Sequence, residues 1–283
     1  MSVSLVSTTG RPVSYITLSE LEQSPIYNQL KKLVPDSSES DRDAELNRII
    51  RRASSMINGE VRQNLAATVD TEIGRVRVST DGDLHLYTRS NPIIEVRSVS
   101  VGPDPSNLTP VDISNVVVEP WRITIPLIGS NSALNLPSAR SASRMWARWT
   151  YVNGFPITTL AASATSGATA ITVADATGIL PGQELPLMVE DGWAGEELTP
   201  TAVSGNVVTV SPLVSSHPAG TGVSSLPDVI KEATLLLISR LHDTWSLTMN
   251  VVDMNGHGSK KSVPAPRIMC QAAEMLAPYQ RVW

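Results

Sequence analysis

One stretch constrains this chain more than any other: residues 225–247, SLPDVIKEATLLLISRLHDTWSL. Ser225 is placed to cap the first amides of a helix, Pro227 is tolerated in a first turn, and Asp228 suits the positive end of the dipole. Val229, Ile230, Ala233, Leu237, Leu241 and Trp245 then recur at helical spacing, and between 233 and 238 apolar residues cover almost the whole circumference. A helix of this kind has to be buried on more than one side, against its own chain or another copy of it. The residues just before it read as β structure, so its partners come from far upstream.

A second helix is predicted over 41–65, with Ser40 as its cap and with Leu46, Ile49, Ile50, Ala53, Ile57 and Val61 on one stripe. Its opposite face gathers Arg48, Arg51, Arg52 and Arg62 around Ser55. Two readings stand: a solvated face paired with neighbours such as Glu45 or with another subunit, or a stripe facing DNA. No aromatic residue interleaves with these arginines, which counts against single-strand stacking. Upstream, residues 1–16 read as an extended arm, TLSE at 17–20 is a capping box, and Ser24-Pro25 restarts a short helix to about Leu33.

From 72 to 151 the period changes to two. Strands are expected at 75–79 and 84–87 around an Asp81-Gly82 hairpin, then at 93–101, 116–118, 122–125 and 145–152. In the last, Met145, Ala147, Trp149 and Tyr151 share one face, and Trp146, Arg148 and Thr150 the other. Residues 129–143 form a polar loop too long for a hairpin, suited to contact with a neighbouring chain. Residues 161–223 hold further short strands at 169–173, 184–189 and 206–210, separated by Gly and Pro, the spacing of a small antiparallel barrel or sandwich. After the long helix come a basic loop, 253–263, and a short helix, 268–276.

A net charge of −5 disfavours a dedicated nucleic-acid binder held by a basic surface. A single cysteine, Cys270, excludes an intrachain disulfide framework, and MSVSLVSTTG lacks the basic and apolar regions of a secretory signal. No apolar run approaches the roughly eighteen residues that span a bilayer. The expectation is a protein made in a cytoplasm, without a membrane partner.

Chemistry is sparse. Glu190, Asp191, Glu196 and Glu197 form the densest acidic cluster, but not with EF-hand spacing, and are expected at a solvated hairpin tip; cation binding there stays open. His85, His217, His242 and His257 make no metal-ligand pair, and His217 is expected to shape a turn. Residues 256–261, GHGSKK, lack P-loop spacing. No catalytic, cofactor-binding or metal site is assigned, no cofactor is expected, and the chain is read as not an enzyme.

The order of LNRIIRRASSMINGEVRQNL, IIEVRSVSVG, RWTYVNGFP and LPDVIKEATLLLISRL resembles the head-to-tail connector, or adaptor, proteins of long-tailed bacteriophages. In that family the YVNGFP-like strand leads almost at once to the P-D-V-x-x-A helix; here residues 161–223 intervene and resemble a β module recurrent in virion proteins. The resemblance implies an α+β fold: an adaptor core of helices with a β-rich middle region (1–160), an inserted β module (161–224), and a core helix with a portal-docking tail (225–283). It also implies a structural virion protein at the phage neck, a head-to-tail ring of about twelve copies that joins portal to tail. Its partners would be the portal protein, tail-side neck and tail-terminator proteins, and genomic DNA passing without sequence-specific binding. His257, Lys260, Lys261, Tyr279 and Trp283 would contact the portal, a segment ordering as it docks. Two other readings remain: a tail or baseplate component whose β module binds host-surface carbohydrate, for which Trp193 is the one aromatic platform, and a hydrolase using the cluster at 190–197.

Overall fold

The computed structural model describes residues 4–7, 14–30, 38–79, 82–126, 144–183, 186–191, 194–249 and 266–280. In chain order the elements begin with β1 (Ser4–Ser7), α1 (Leu18–Gln23), α2 (Tyr27–Leu30), α3 (Glu39–Val61), β2 (Thr68–Arg77), β3 (Asp83–Tyr87), β4 (Ile93–Asp104) and β5 (Asn107–Val111). They continue with β6 (Val117–Glu119), β7 (Arg122–Pro126), β8 (Arg144–Asn153), β9 (Ile157–Thr159), β10 (Ala170–Thr172), β11 (Leu187–Asp191) and β12 (Ala194–Leu198). Last come β13 (Pro200–Ser204), β14 (Val207–Val210), β15 (Gly222–Ser224), α4 (Asp228–Met249), α5 (Pro266–Leu276) and a 3₁₀ turn, Ala277–Tyr279.

The expectation of a helical adaptor core does not hold. Strand accounts for 40% and helix for 28%, in four antiparallel sheets, so the scaffold is mainly β. The two long helices give the loudest periodic signal in the sequence, but the Val, Thr and Ser runs between them pack as sheets and supply most of the buried side chains.

The chain divides into two compact units, Met1–Arg11 with Asn64–Phe155, and Pro12–Gln63 with Pro156–Trp283. The first has a five-stranded sheet, β1-β2-β8-β4-β5, and a three-stranded one, β3-β7-β6. Leu84, Leu86, Ile123 and Ile125 from the smaller sheet are fully buried in one core with Val76, Val99, Val101, Ala147, Trp149 and Tyr151 from the larger. The turn expected around Gly82 forms, the Ser79 amide donating to the Asp83 carbonyl at 2.7 Å, but the strands on either side of it do not stay paired. Val78 bridges Leu84, after which β2 pairs with β1 and β8 while β3 pairs with β7, because each sends its apolar face into the core from a different sheet. Gly154 closes this unit at φ +89°, where a Cβ would lie 2.6 Å from the Ala66 carbonyl oxygen; only glycine fits both constraints.

In the second unit Thr17 and Glu20 form the capping box of α1, and Ser38, not Ser40, caps α3. The stripe Leu46, Ile49, Ile50, Ala53, Ile57 and Val61 is buried along α3, which packs against α1, α4 and α5. Helix α4 starts three residues later than its sequence suggests. Ser225 does not cap it: its amide bonds to the Pro156 carbonyl at 3.0 Å and its hydroxyl accepts from Gln183 at 2.9 Å. Ile230, Ala233, Thr234, Leu237, Ile238 and Leu241 are buried, whereas Leu235 and Leu236 are half-buried and Val229 is exposed. Sheets β10-β14-β13 and β12-β11-β15-β9 enclose a further core around Ile171, Val173, Leu187, Val189, Val208 and Val223. Among the described residues, no helix is long and apolar enough to cross a membrane.

Candidate functional site

Alternation along β2 and β8 gives the larger sheet of the first unit two different faces. Inward point Thr68, Asp70, Glu72, Gly74 and Val76, with Met145, Ala147, Trp149 and Tyr151; outward point Arg75 and Arg77, with Trp146, Arg148 and Thr150. The Arg75 guanidinium lies over the Trp146 ring, 5.2 Å from its centroid. Thr71 and Thr150 share a 2.9 Å hydrogen bond across the strands.

The outer face of the smaller sheet is different in chemistry. His85, Thr124 and Val117 form one row, and Tyr87, Arg122 and Glu119 the next. Glu119 receives Arg122 through two contacts of 2.6 and 2.8 Å. The hydrogen bond from Arg122 outweighs desolvation and holds the Glu119 carboxyl below its usual range. Around that pair Tyr87 is 63% exposed, Trp121 57% and Val117 57%, against 0% for every large side chain that β3 and β7 send inward. A cleft of about 420 Å³ opens between β2 and β3, lined by Arg75, Arg77, Val78, Ser79, His85 and Tyr87 among others. Among the described residues that line it there is no carboxylate.

The inward polar residues form a buried network. Asp70 accepts from the Asn153 amide at 3.0 Å, and Glu72 accepts from the Tyr151 hydroxyl at 2.6 Å and the Arg89 amide at 2.8 Å. Glu72 is 1% exposed, its second oxygen has no partner among the described residues, and burial raises its carboxyl above the usual range. Burial and the Glu72 charge together keep Tyr151 un-ionised. Closed to solvent, this group ties β2 to β8 across the sheet. Its signal in the sequence was TVDTE, which puts two acids on the parity that faces the core.

The second unit contains the other charged cluster. Lys231 of α4 meets Glu20 of α1 at 3.1 Å and also Glu190 of β11, all three side chains 12–16% exposed. Burial, then the hydrogen bond with Glu20, push the Glu190 carboxyl up to about 7 despite the lysine. Glu20 is held low: its own burial is outweighed by the bond to Glu190, the lysine charge and the Thr17 amide. Lys231 is held above its usual value because the two carboxylates outweigh its desolvation.

The acidic cluster is therefore split, not a solvated tip. Glu190 and Glu196 fall on opposite faces of the β11–β12 ladder, where Val189 pairs with Glu196 and Glu190 with Gly195. Glu196 accepts from the Val214 amide, the Ser215 amide at 3.2 Å and the buried His217 ring at 3.1 Å. These bonds outweigh burial and hold its carboxyl low. His217 thus does more than shape a turn. Glu197 is exposed, and Asp191 offers no described side chain. Among the described residues no three His, Cys, Asp or Glu are placed to hold a metal ion, and Cys270 is exposed.

Arg48, Arg51 and Arg52 lie exposed on α3, Arg48 pairing with Glu45 at 2.6 Å; Arg62, in the left-handed conformation, ends the helix. Tyr279 sits in the 3₁₀ turn, its carbonyl accepting from Gln63 at 3.0 Å. His257, Lys260, Lys261, Trp283, Trp193 and the loop at 129–143 lie outside the described residues.

No protein-family model and no curated protein matches the chain. Among solved structures it is similar to a chain from the neck of an empty gene transfer agent (GTA) particle, computed with C6 symmetry: 14% identity and a TM-score of 0.39, covering 100% of this chain and 97% of that one. A chain from the virion of the native GTA particle is similar at 14% identity and a TM-score of 0.37, covering 99% and 96%. At this level neither likeness bears on function.

Proposed function

We propose that the chain is a structural neck protein of a phage-like particle, one that assembles with copies of itself into a ring joining the portal vertex to the tail and leaving a passage for DNA. The observation that carries the reading is the exposed set Tyr87, Trp121 and Val117 at the small sheet, beside β6, whose outer edge has no strand partner among the described residues. Exposed aromatic and β-branched residues around an internally neutralised Arg–Glu pair suit a protein partner, since burying them releases water from apolar surface without stranding a charge. The order of sequence elements shared with the connector family supplies the kind of assembly.

The experiment is negative-stain imaging with light scattering of the purified protein, alone and mixed with portal, beside a Tyr87→Ser/Trp121→Ser variant. The expected result is a closed ring with a central opening that the variant fails to form. A wild-type protein that stays monomeric with portal present would refute the reading.

A further inference from the structure

We propose that the outward face of the five-stranded sheet holds the phosphate backbone of duplex DNA through Arg75, Arg77 and Arg148. The ladder registers build the face row by row: Thr71, Thr150 and Ser98; then Ile73, Arg148 and Ser100; then Arg75 and Trp146, with Arg77 beyond. Arg75 and Arg77 leave one strand two residues apart, about 7 Å along it. Arg148 is the diagonal neighbour of Arg75 on β8, about 7–8 Å away. All three are exposed, and among the described residues none pairs with a carboxylate, whereas Arg42, Arg48, Arg97 and Arg122 each do. In a chain of net charge −5, three guanidiniums on one sheet face with no carboxylate partner among the described residues are a local concentration of positive charge that a polyanion would relieve.

The chemistry of the rest of the face selects the occupant. A protein interface needs an apolar centre, and in the rows that carry Arg148 and Arg75 the apolar Ile73 and Trp146 are set among guanidiniums and Ser100, while Val69 and Val152 lie at the far end of the face. Hydroxyls interleaved with guanidiniums are donors suited to phosphate oxygens. Trp146 is covered by Arg75, so it orients that guanidinium and offers no open platform for an unpaired base, which favours the duplex over a single strand. Each strand of a duplex carries a phosphate per 3.4 Å of axis, a density at which arginines spaced about 7 Å apart find partners without reading sequence. The inference rests on the neck reading only for what brings DNA to this chain.

The test is fluorescence anisotropy of a labelled 30-base-pair duplex across a salt series, for the wild type, Arg75→Gln/Arg77→Gln/Arg148→Gln, each single variant, and Arg51→Gln/Arg52→Gln as an exposed-arginine control. Three neutralised phosphates give a slope of log K against log salt near −2.7, a loss of roughly 40-fold between 50 and 200 mM. Two unrelated duplexes should bind alike. The triple variant should weaken binding at least tenfold at 50 mM salt, and each single variant should reduce the slope by about 0.9, with circular dichroism unchanged. Unaltered binding by the triple variant overturns the proposal. So does loss in the α3 control alone, tighter binding of the single strand, or preference for polyglutamate over the duplex, which would mark an acidic protein as the occupant. Ring formation is scored separately by imaging: its loss with DNA binding intact removes the neck reading and leaves this one standing.

Discussion

Replacing Lys231 by methionine should damage the fold in a way that depends on pH. Among the described residues the lysine is the one cation paired with Glu20 and Glu190, in a site where all three side chains are 12–16% exposed, so removing it leaves two adjacent carboxylates without that counter-charge. Breaking a buried pair costs about 3–5 kcal/mol, and the residual exposure points to the low end. At about 2–4 °C per kcal/mol for a unit of this size, 3 kcal/mol lowers the melting temperature by roughly 6–12 °C at pH 7.5. The sign with pH follows from proton uptake. Glu190 has its carboxyl raised from 4.5 to about 7, so the folded state holds more protons than the unfolded chain between those values, and this group's contribution falls as pH rises through that window. Without the lysine, one of the two carboxyls has to be protonated on folding over a wider range, so the deficit grows from pH 5.5 to pH 8. Scanning calorimetry of both proteins at these two pH values measures it. Replacing all three residues, Glu20→Leu/Lys231→Met/Glu190→Leu, should recover most of the loss, because no charge is then left buried. A deficit under 2 °C, or one equal at both pH values, would refute the reasoning.

Gly154→Ala should destabilise the first unit by about 2–4 kcal/mol in thermal melts, since it combines a positive φ with a carbonyl oxygen at 2.6 Å. Gly59→Ala, on an exposed stretch of α3 with nothing within 4 Å of the new Cβ, should instead stabilise by about 0.5–1 kcal/mol. Glu196 has its carboxyl held low, so its stabilisation is present above pH 4.5 and lost as pH falls through the lower folded value; Glu196→Gln should match the wild type in acid and fall below it near neutrality in denaturant titrations. Tyr151→Phe removes the hydroxyl that donates to Glu72 and should cost about 1–3 kcal/mol, with a steeper loss of stability as pH rises, because Glu72 then holds its proton more tightly.

Much of the local structure was legible before any coordinates. The stripe on α3 and the two-residue alternation from Met145 to Tyr151 put the right side chains inward, and the same alternation already placed Trp146 and Arg148 together on the other side. The arginines of α3 stand close in sequence and are legible as one face, whereas those of the sheet are not. Arg75 and Arg148 are separated by more than seventy positions and become neighbours only through strand pairing. Helices dominate the sequence pattern for a related reason: a 22-residue helical run is a strong signal by itself, whereas most of the strands have three to five residues and say little until they pair.

By itself the sequence determined which side of each element is apolar, because periods of 3.6 and 2 are properties of adjacent residues and hold wherever the element ends up. Tertiary structure alone decided the partners: that β2 and β3 part into different sheets, that the acidic run is divided between two faces of a ladder, and that Lys231 reaches Glu190 across 41 positions and Glu20 across 211. Such pairings are set by what else is available when the chain closes, since a buried charge is tolerated only where its counter-charge arrives at the same place.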